Sequence, residues 1–455
     1  MRRAVLGGFT VVDAGSVLPQ TGLLLEDDRI VAVMGNESLA GLSGIDEIID
    51  HRERMLIPGF IDGHVHLYGM LAHGLLPQKP LQDFSQFLSD YWWPDVENRL
   101  GPEAIEAAAA VSCLEHIKSG VTTICDVLEA PNAGRGILER EAAIVRALGL
   151  RGVFSTEASE RLGADRAGEL LAENVEFARG RRDDPQIWGL LSIHTTFTCG
   201  PDYIQRAAAL ARENGIDLHM HLSESDYEPG LCEREYGMRP TELYDRLGVL
   251  GPHVVASQGV ALLPEEIEIL RCHGCRLVHM PLSNCEVGGG FAPVPGLLDA
   301  GIKVGLGTDG YVNDFFEVMR GAFLMHKSVA KNSSVMPARL VFEMATSLGA
   351  AALGRDDLGR LQSGCRADFA VLEDRFPTPM TAQNFFDQLV VFGRSEYVRD
   401  VYVGGRPIML EREVLYGNEE EIRLGLREKA RQFWGTASDW QQGSNVGGAS
   451  DVRGR

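Results

Sequence analysis

The chain reads as an α/β protein, a (β/α)8 TIM barrel carrying a small β-sandwich domain formed from both chain ends. Three observations predict this. Eight apolar, strand-like runs alternate with helical patterns between residues 55 and 307. Short β-rich pieces occupy residues 4–57 and return after residue 363. Histidine and acidic residues cluster where the apolar runs end, which is the end at which barrels of this kind carry their chemistry.

Taken in order, the first pieces are Ala4-Val5-Leu6, Phe9-Thr10-Val11-Val12, Leu23-Leu24-Leu25-Glu26 and Arg29-Ile30-Val31-Ala32-Val33. Gly and Asp punctuate them, the pattern of short antiparallel strands. The eight apolar runs follow at 55–67, 121–127, 151–156, 188–195, 216–223, 253–260, 276–281 and 303–307. Helical patterns lie between them at 101–118, 137–148, 167–178, 201–214 and 264–272. Near-continuous apolar strands separated by helices predict a parallel sheet covered on both faces. Eight of them predict closure into a barrel. An open doubly wound sheet would want a G-x-G-x-x-G after its first strand, and none is present. A helical region at 337–353 comes next, then β-rich pieces at 367–372, 398–403 and 406–409, which are expected to pair with the N-terminal strands. The expected division is 1–57 plus 364–415 for the small domain, 58–363 for the barrel, and 416–455 for a C-terminal helix and tail. From Gly443 the chain is Gly/Ser-rich and is expected to be mobile.

Composition narrows the function classes. Among 455 residues, 45% are hydrophobic and 24% charged, ordinary globular usage. The net charge of −21 disfavours polynucleotide binding, because an acidic surface repels phosphate backbones. No stretch of about 18 continuous apolar residues predicts a membrane span, and the N-terminus lacks the apolar core of a signal peptide. Eight scattered cysteines do not make a disulfide framework; the expectation is reduced thiols in the cytoplasm. Cys272 and Cys275 form a single C-x-x-C without a partner pair, at the end of a helical pattern, and read as structural rather than as a zinc knuckle.

The chemistry-bearing residues stand at strand ends. His64 and His66 close the first apolar run; residues i and i+2 of a strand share a face, so both imidazoles can meet one metal. His219, His221 and Glu224 close the fifth. His221 is nearer the strand end and reads as a ligand, Glu224 as a proton-carrying acid, and His219 as a packed core histidine. Asp309 ends the eighth run, where an acid after an apolar strand is out of place unless solvated, paired or ligating. A turn Asp before Gly310 is the plainer alternative for that residue alone. His194 ends the fourth run and faces the same mouth. No Lys lies in that run, so a mononuclear site is expected rather than one bridged by a carboxylated lysine. The segment 68–100 carries His73, Phe84, Trp92 and Trp93; His73, Trp92 and Trp93 are candidate substrate contacts, with a packed helix as the alternative for the two tryptophans.

These residues resemble the amidohydrolase superfamily, in the branch of cytosine-deaminase-like and triazine aminohydrolase or chlorohydrolase enzymes. The resemblance spans nearly the whole chain: P-G-F-I-D-G-H-V-H at 58–66, S-G-V-T-T-I-C-D at 119–126, H-M-H-L-S-E at 219–224, P-L-S-N at 281–284, G-L-G-T-D-G at 305–310 and S-G-C-R-A-D-F-A-V-L at 363–372. Within the branch, Tyr91-Trp92-Trp93, the stretch 307–317 and P-T-P-M-T at 377–381 are similar to aminohydrolases linked to selenium metabolism. The resemblance implies a metal-dependent hydrolase acting on carbon–nitrogen bonds. His64, His66, His221 and Asp309 would hold one divalent ion, zinc or in some members iron. Glu224 would be the proton shuttle and His194 a substrate-side histidine. It further implies a small substrate, a nitrogen heterocycle that loses an amino group, and a homodimer or higher homo-oligomer. One position departs: Gln258 stands where the family usually carries a histidine after the sixth strand, and an amide can orient water but cannot take up a proton near neutral pH. Hydrolysis of an amide or of a non-nitrogen leaving group, and a weakly catalytic metal-bound sensor or interaction protein, are the alternative readings.

Overall fold

The computed structural model describes residues 1–435; the tail from Gly443 lies outside the described residues. Eight parallel strand positions close the barrel in sequence order: Phe60–Val65, Val121–Leu128, Arg151–Ala158, a fourth made of Ile187–Gly189 and Leu191–Ile193, Leu218–Leu222, Val254–Gln258, Arg276–His279 and Val304–Leu306. The residues of these strands are buried almost throughout, as expected for strands covered by helices outside and by packed side chains inside. The seam between the last strand and the first is held by the Asp309 N–H, which donates to the His64 carbonyl (3.1 Å). Asp62 fastens the same seam from below: its carboxylate accepts from Thr308 N (3.1 Å), Thr308 Oγ1 (2.6 Å) and His116 Nε2 (2.9 Å).

Helices fill the crossovers where the sequence signals them. Pro201–Asn214 and Pro264–His273 each begin on a proline and end against a left-handed glycine, Gly215 and Gly274.

The second sheet is mixed and is built from both chain ends. Arg2–Asp13 pairs parallel with Glu47–Pro58, which pairs antiparallel with Phe369–Glu373, followed by Val398–Val403 and Arg406–Leu410. It forms one sheet of nine strands, eight on a single hydrogen-bonded path with Ser16–Pro19 branching off Arg2–Asp13, rather than two separately bonded sheets. A buried Arg151–Asp368 pair (2.5 and 2.9 Å) ties it to the third barrel strand.

Two expected strands are divided. The run 55–67 serves both sheets: Met55 to Pro58 belong to the mixed sheet, and the barrel strand starts at Phe60. Gly59 is the joint, and a β-carbon there would sit 2.2 Å from Thr122 Oγ1, so no larger residue fits. The run 188–195 is interrupted at Leu190, whose N–H donates to the Phe154 carbonyl. Segment 68–100 is more structured than a loop, with Phe84–Phe87 helical and Leu88–Val96 wound as a wide π-type helix. Glu419–Trp434 is helical as expected and is pinned by Lys118–Glu419 (2.8 Å). Among the described residues all eight cysteines are free thiols, and no helix is long and apolar enough to cross a membrane.

Candidate metal centre and active site

The barrel brings His64, His66, His221 and Asp309 together: one ligand-capable atom from each lies within 4.8 Å of the others. Asp309 Oδ1 is 3.0 Å from His64 Nε2 and 3.5 Å from His66 Nε2. Donors spaced tetrahedrally around an ion with bonds of about 2.0–2.1 Å stand roughly 3.3 Å apart, so these separations are those of ligands around a shared centre. Neither ring nitrogen of the buried His64 has a hydrogen-bond partner. The carbonyl of Val127 can only accept, so His66 donates Nδ1–H to it (2.6 Å) and keeps the Nε2 lone pair free.

The electrostatics suit a cation. Burial pushes the His64 imidazole down to about 3, against the opposing pull of Asp309. Burial likewise lowers His221. Burial alone would raise Asp309; contact with His64, the charges of His64 and His66, and the Ser283 hydroxyl outweigh it and hold the carboxyl well below the usual range. Imidazoles held towards the neutral form at His64 and His221, beside a carboxyl held towards its ionised form, are the donor states that zinc-type ions bind.

The turns that present the site are strained. Ser223, Gln258 and Asp309 all have left-handed backbones, with φ of 50°, 76° and 61°, each costing on the order of 1–3 kcal/mol and persisting only where surrounding structure enforces it. At the eighth strand the enforcement is visible, since a β-carbon on Gly310 would lie 2.2 Å from the His66 carbonyl. After the fifth strand, buried Glu228 accepts from Ser223 N (2.6 Å) and Thr196 N (2.8 Å), fixing the turn that carries Glu224.

Asp309 is gripped on both oxygens. Ser283 Oγ donates to Oδ2 (2.5 Å), and Gln258 Nε2 lies 3.3 Å from Oδ2 and 3.4 Å from Oδ1. Glu224 lies beside this group with its carboxyl raised well above the ordinary range, first by burial and then by Asp309 and Glu157. His219 stands outside the group; it stacks on His64 (5.0 Å between centroids) and meets Ser192 Oγ at 2.8 Å.

All of this opens into one cavity of about 400 Å³, within the range typical of small-molecule sites. His66, His194, His221, Glu224, Gln258 and Asp309 form its floor, and Phe84, Phe87, Tyr91 and Trp92 form an aromatic wall. His73 lines it and donates Nε2–H to the Gly310 carbonyl (2.8 Å), tying the wall to the eighth strand. Trp92 also lines it, stacked on Phe87. Trp93, expected as a substrate contact, is not part of the lining. Its ring lies under the Arg161 guanidinium (4.7 Å), the packed-helix outcome.

Three acids of this region escaped the sequence reading. Glu157, on the third strand, is 3.1 Å from His221 Nδ1 and 3.6 Å from His194 Nδ1. Glu97 and Glu129 line the cavity and share Arg161 (2.7 and 3.2 Å). Burial raises Glu129 to about 7 and Glu157 to about 8. For Glu157 the available signal was an acid inside an otherwise apolar strand.

Comparison with known proteins identifies the family. The amidohydrolase family model matches residues 55–408. A 5'-deoxyadenosine deaminase of Methanothermobacter thermautotrophicus is 33% identical, covering 94% of this chain and 97% of its own. A 5-methylthioadenosine/S-adenosylhomocysteine deaminase of Shouchella clausii is 30% identical over 93% of this chain and 97% of its own. Among solved structures, a zinc-bound adenosine deaminase of Xanthomonas campestris superposes with a TM-score of 0.86 at 23% identity, covering 95% of this chain and 98% of the other. The chain belongs to the amidohydrolase family. With deaminase-named relatives aligned end to end, it is a hydrolase of carbon–nitrogen bonds.

Proposed function

We propose that the protein is a zinc-dependent aminohydrolase that replaces the exocyclic amino group of an adenine-type nucleoside by a hydroxyl from water. The observation that carries this reading is the convergence of His64, His66, His221 and Asp309 on one point of the cavity floor, with the proton-holding Glu224 at its side. The end-to-end relatives named for adenosine derivatives supply the substrate class.

The three imidazoles and Asp309 would hold the ion. When bound, zinc supplies Lewis acidity and brings the pKa of a water it binds towards neutrality. Asp309 accepts the proton of the attacking water, and Gln258 and Ser283 hold that carboxylate in place. Glu224, whose proton burial favours, delivers it to the ring nitrogen next to the attacked carbon, then takes up the proton that the added hydroxyl loses as the product carbonyl forms and passes it to the leaving amine. His194 stabilises charge developing on the substrate. The aromatic wall, with Trp92 and Phe87, stacks on the flat ring, and His73 fixes the wall. The small-molecule partner is neutral or cationic, as an acidic cavity requires.

The test is ammonia release from a panel of adenine nucleosides, guanine, pterins and aminotriazines, by zinc-loaded and metal-stripped protein. Zinc-dependent release, highest with adenine nucleosides, is the expected result. Metal-confirmed protein that releases chloride from chlorotriazines or opens cyclic amides, with no ammonia, would replace this reading.

A further inference from the structure

We propose that Glu157, His194 and His221 form a second divalent-cation site, adjoining the first group and sharing His221 with it. This rests on the reading of His221 as a ligand of the first ion.

One donor atom from each of the three lies within 4.8 Å of the others. Glu157 Oε2 to His221 Nδ1 is 3.1 Å and Glu157 Oε1 to His194 Nδ1 is 3.6 Å, bracketing the roughly 3.3 Å edge of a tetrahedral site with bonds of about 2.0–2.1 Å. All three residues are buried, at 3%, 4% and 3% exposure. Despite the close approach, the contact between Glu157 and His221 Nδ1 does not meet hydrogen-bond geometry. The neighbouring Arg161 guanidinium is committed to Glu97, Glu129 and Asn98, which leaves the Glu157 carboxyl beside the two imidazoles. Two imidazoles and a carboxylate are a zinc-type donor set with a fourth position open.

Two competing contacts set the strength of the site. Thr198 Oγ1 lies 2.8 Å from His194 Nδ1 and must turn away for that nitrogen to ligate; Thr195 Oγ1, at 3.3 Å, is there to receive it. His221 can serve both ions only as a bridging imidazolate, releasing its ring proton to solvent. The second ion therefore binds more weakly than the first. By drawing His194 onto metal, it inhibits the enzyme at excess zinc.

The experiment is equilibrium dialysis of stripped full-length protein against zinc or cobalt, with elemental analysis of ions per chain. The wild type should reach two ions per chain, the second at higher free metal. Glu157→Gln and, separately, His194→Asn should stop at one while keeping the tight ion; two variants guard against a single misfolded one. A wild type that stops at one ion overturns the proposal. So do variants that still hold two, or that lose both. Ammonia release is read on the same samples. Two ions without release leaves this site standing and removes the aminohydrolase reading, whereas one ion with release does the reverse.

Discussion

Replacing Glu224 by glutamine keeps the volume and one carbonyl acceptor but removes the proton. The structure sets the size of the loss. Glu224 is buried at the cavity floor with its carboxyl raised well above the ordinary range, so burial favours the proton the ring nitrogen needs. It is not among the four residues proposed to hold the ion, so the metal should stay. A positioned general acid–base contributes about 10²–10⁴-fold, equivalent to about 2.7–5.4 kcal/mol of barrier. Glu224→Gln should therefore lower kcat by that factor at unchanged zinc content, with KM moving little. Because the raised carboxyl acts in its protonated form, wild-type activity should persist above the ordinary titration range of a glutamate and fall only as pH passes its elevated value. The assay is steady-state ammonia release beside elemental analysis. A kcat within about threefold of wild type would refute the shuttle role, and loss of zinc would make Glu224 a ligand instead.

Four further outcomes follow from the same geometry. Gln258→Leu removes the amide facing Asp309 and should cost roughly tenfold in kcat/KM, about the worth of one hydrogen bond to a charged group; an unchanged value would mean that Ser283 alone holds Asp309. Stripping the ion should lower the thermal midpoint, and zinc at about 100 times its dissociation constant should restore about 2.7 kcal/mol, read by calorimetry. Arg151→Ala leaves Asp368 buried without its bidentate partner and should destabilise by about 3–5 kcal/mol in denaturant titration, with zinc content per folded chain unchanged. Glu129 has a raised folded-state value of about 7, so its contribution to stability is present below the ordinary glutamate range and lost as pH rises through 7. Measured on stripped protein, Glu129→Gln should gain on wild type over that interval, and a pH-independent difference would contradict it.

The barrel was legible because its strands are buried on both faces and so read as apolar runs, and because Pro and Gly punctuate the helices between them. The four residues that gather on the cavity floor were legible for a related reason. His64, His66, His221 and Asp309 are polar groups terminating apolar strands, and the i, i+2 spacing of His64 and His66 fixes their common face. What sequence could not give is contact between elements. The run 55–67 shows no break in hydrophobicity, yet Gly59 divides it between two sheets because Thr122 presses on it. Glu157 hides within Phe154-Ser155-Thr156-Glu157-Ala158, and its value depends on strands four and five placing His194 and His221 opposite it. Trp92 and Trp93 are adjacent in sequence, but the wide turn of Leu88–Val96 sends one to the cavity and the other under Arg161. Tyr91, part of the finer resemblance to selenium-linked aminohydrolases, donates its hydroxyl to the Leu75 carbonyl (2.7 Å) and so braces the cavity wall.

The most direct measurement is anomalous X-ray scattering at the zinc edge from crystals of the zinc-loaded protein. The account predicts a peak on the cavity floor within about 2.0–2.2 Å of a nitrogen of each of His64, His66 and His221 and of an Asp309 oxygen. Zinc confirmed in the crystals but absent from that point, or bound there without Asp309, would contradict it.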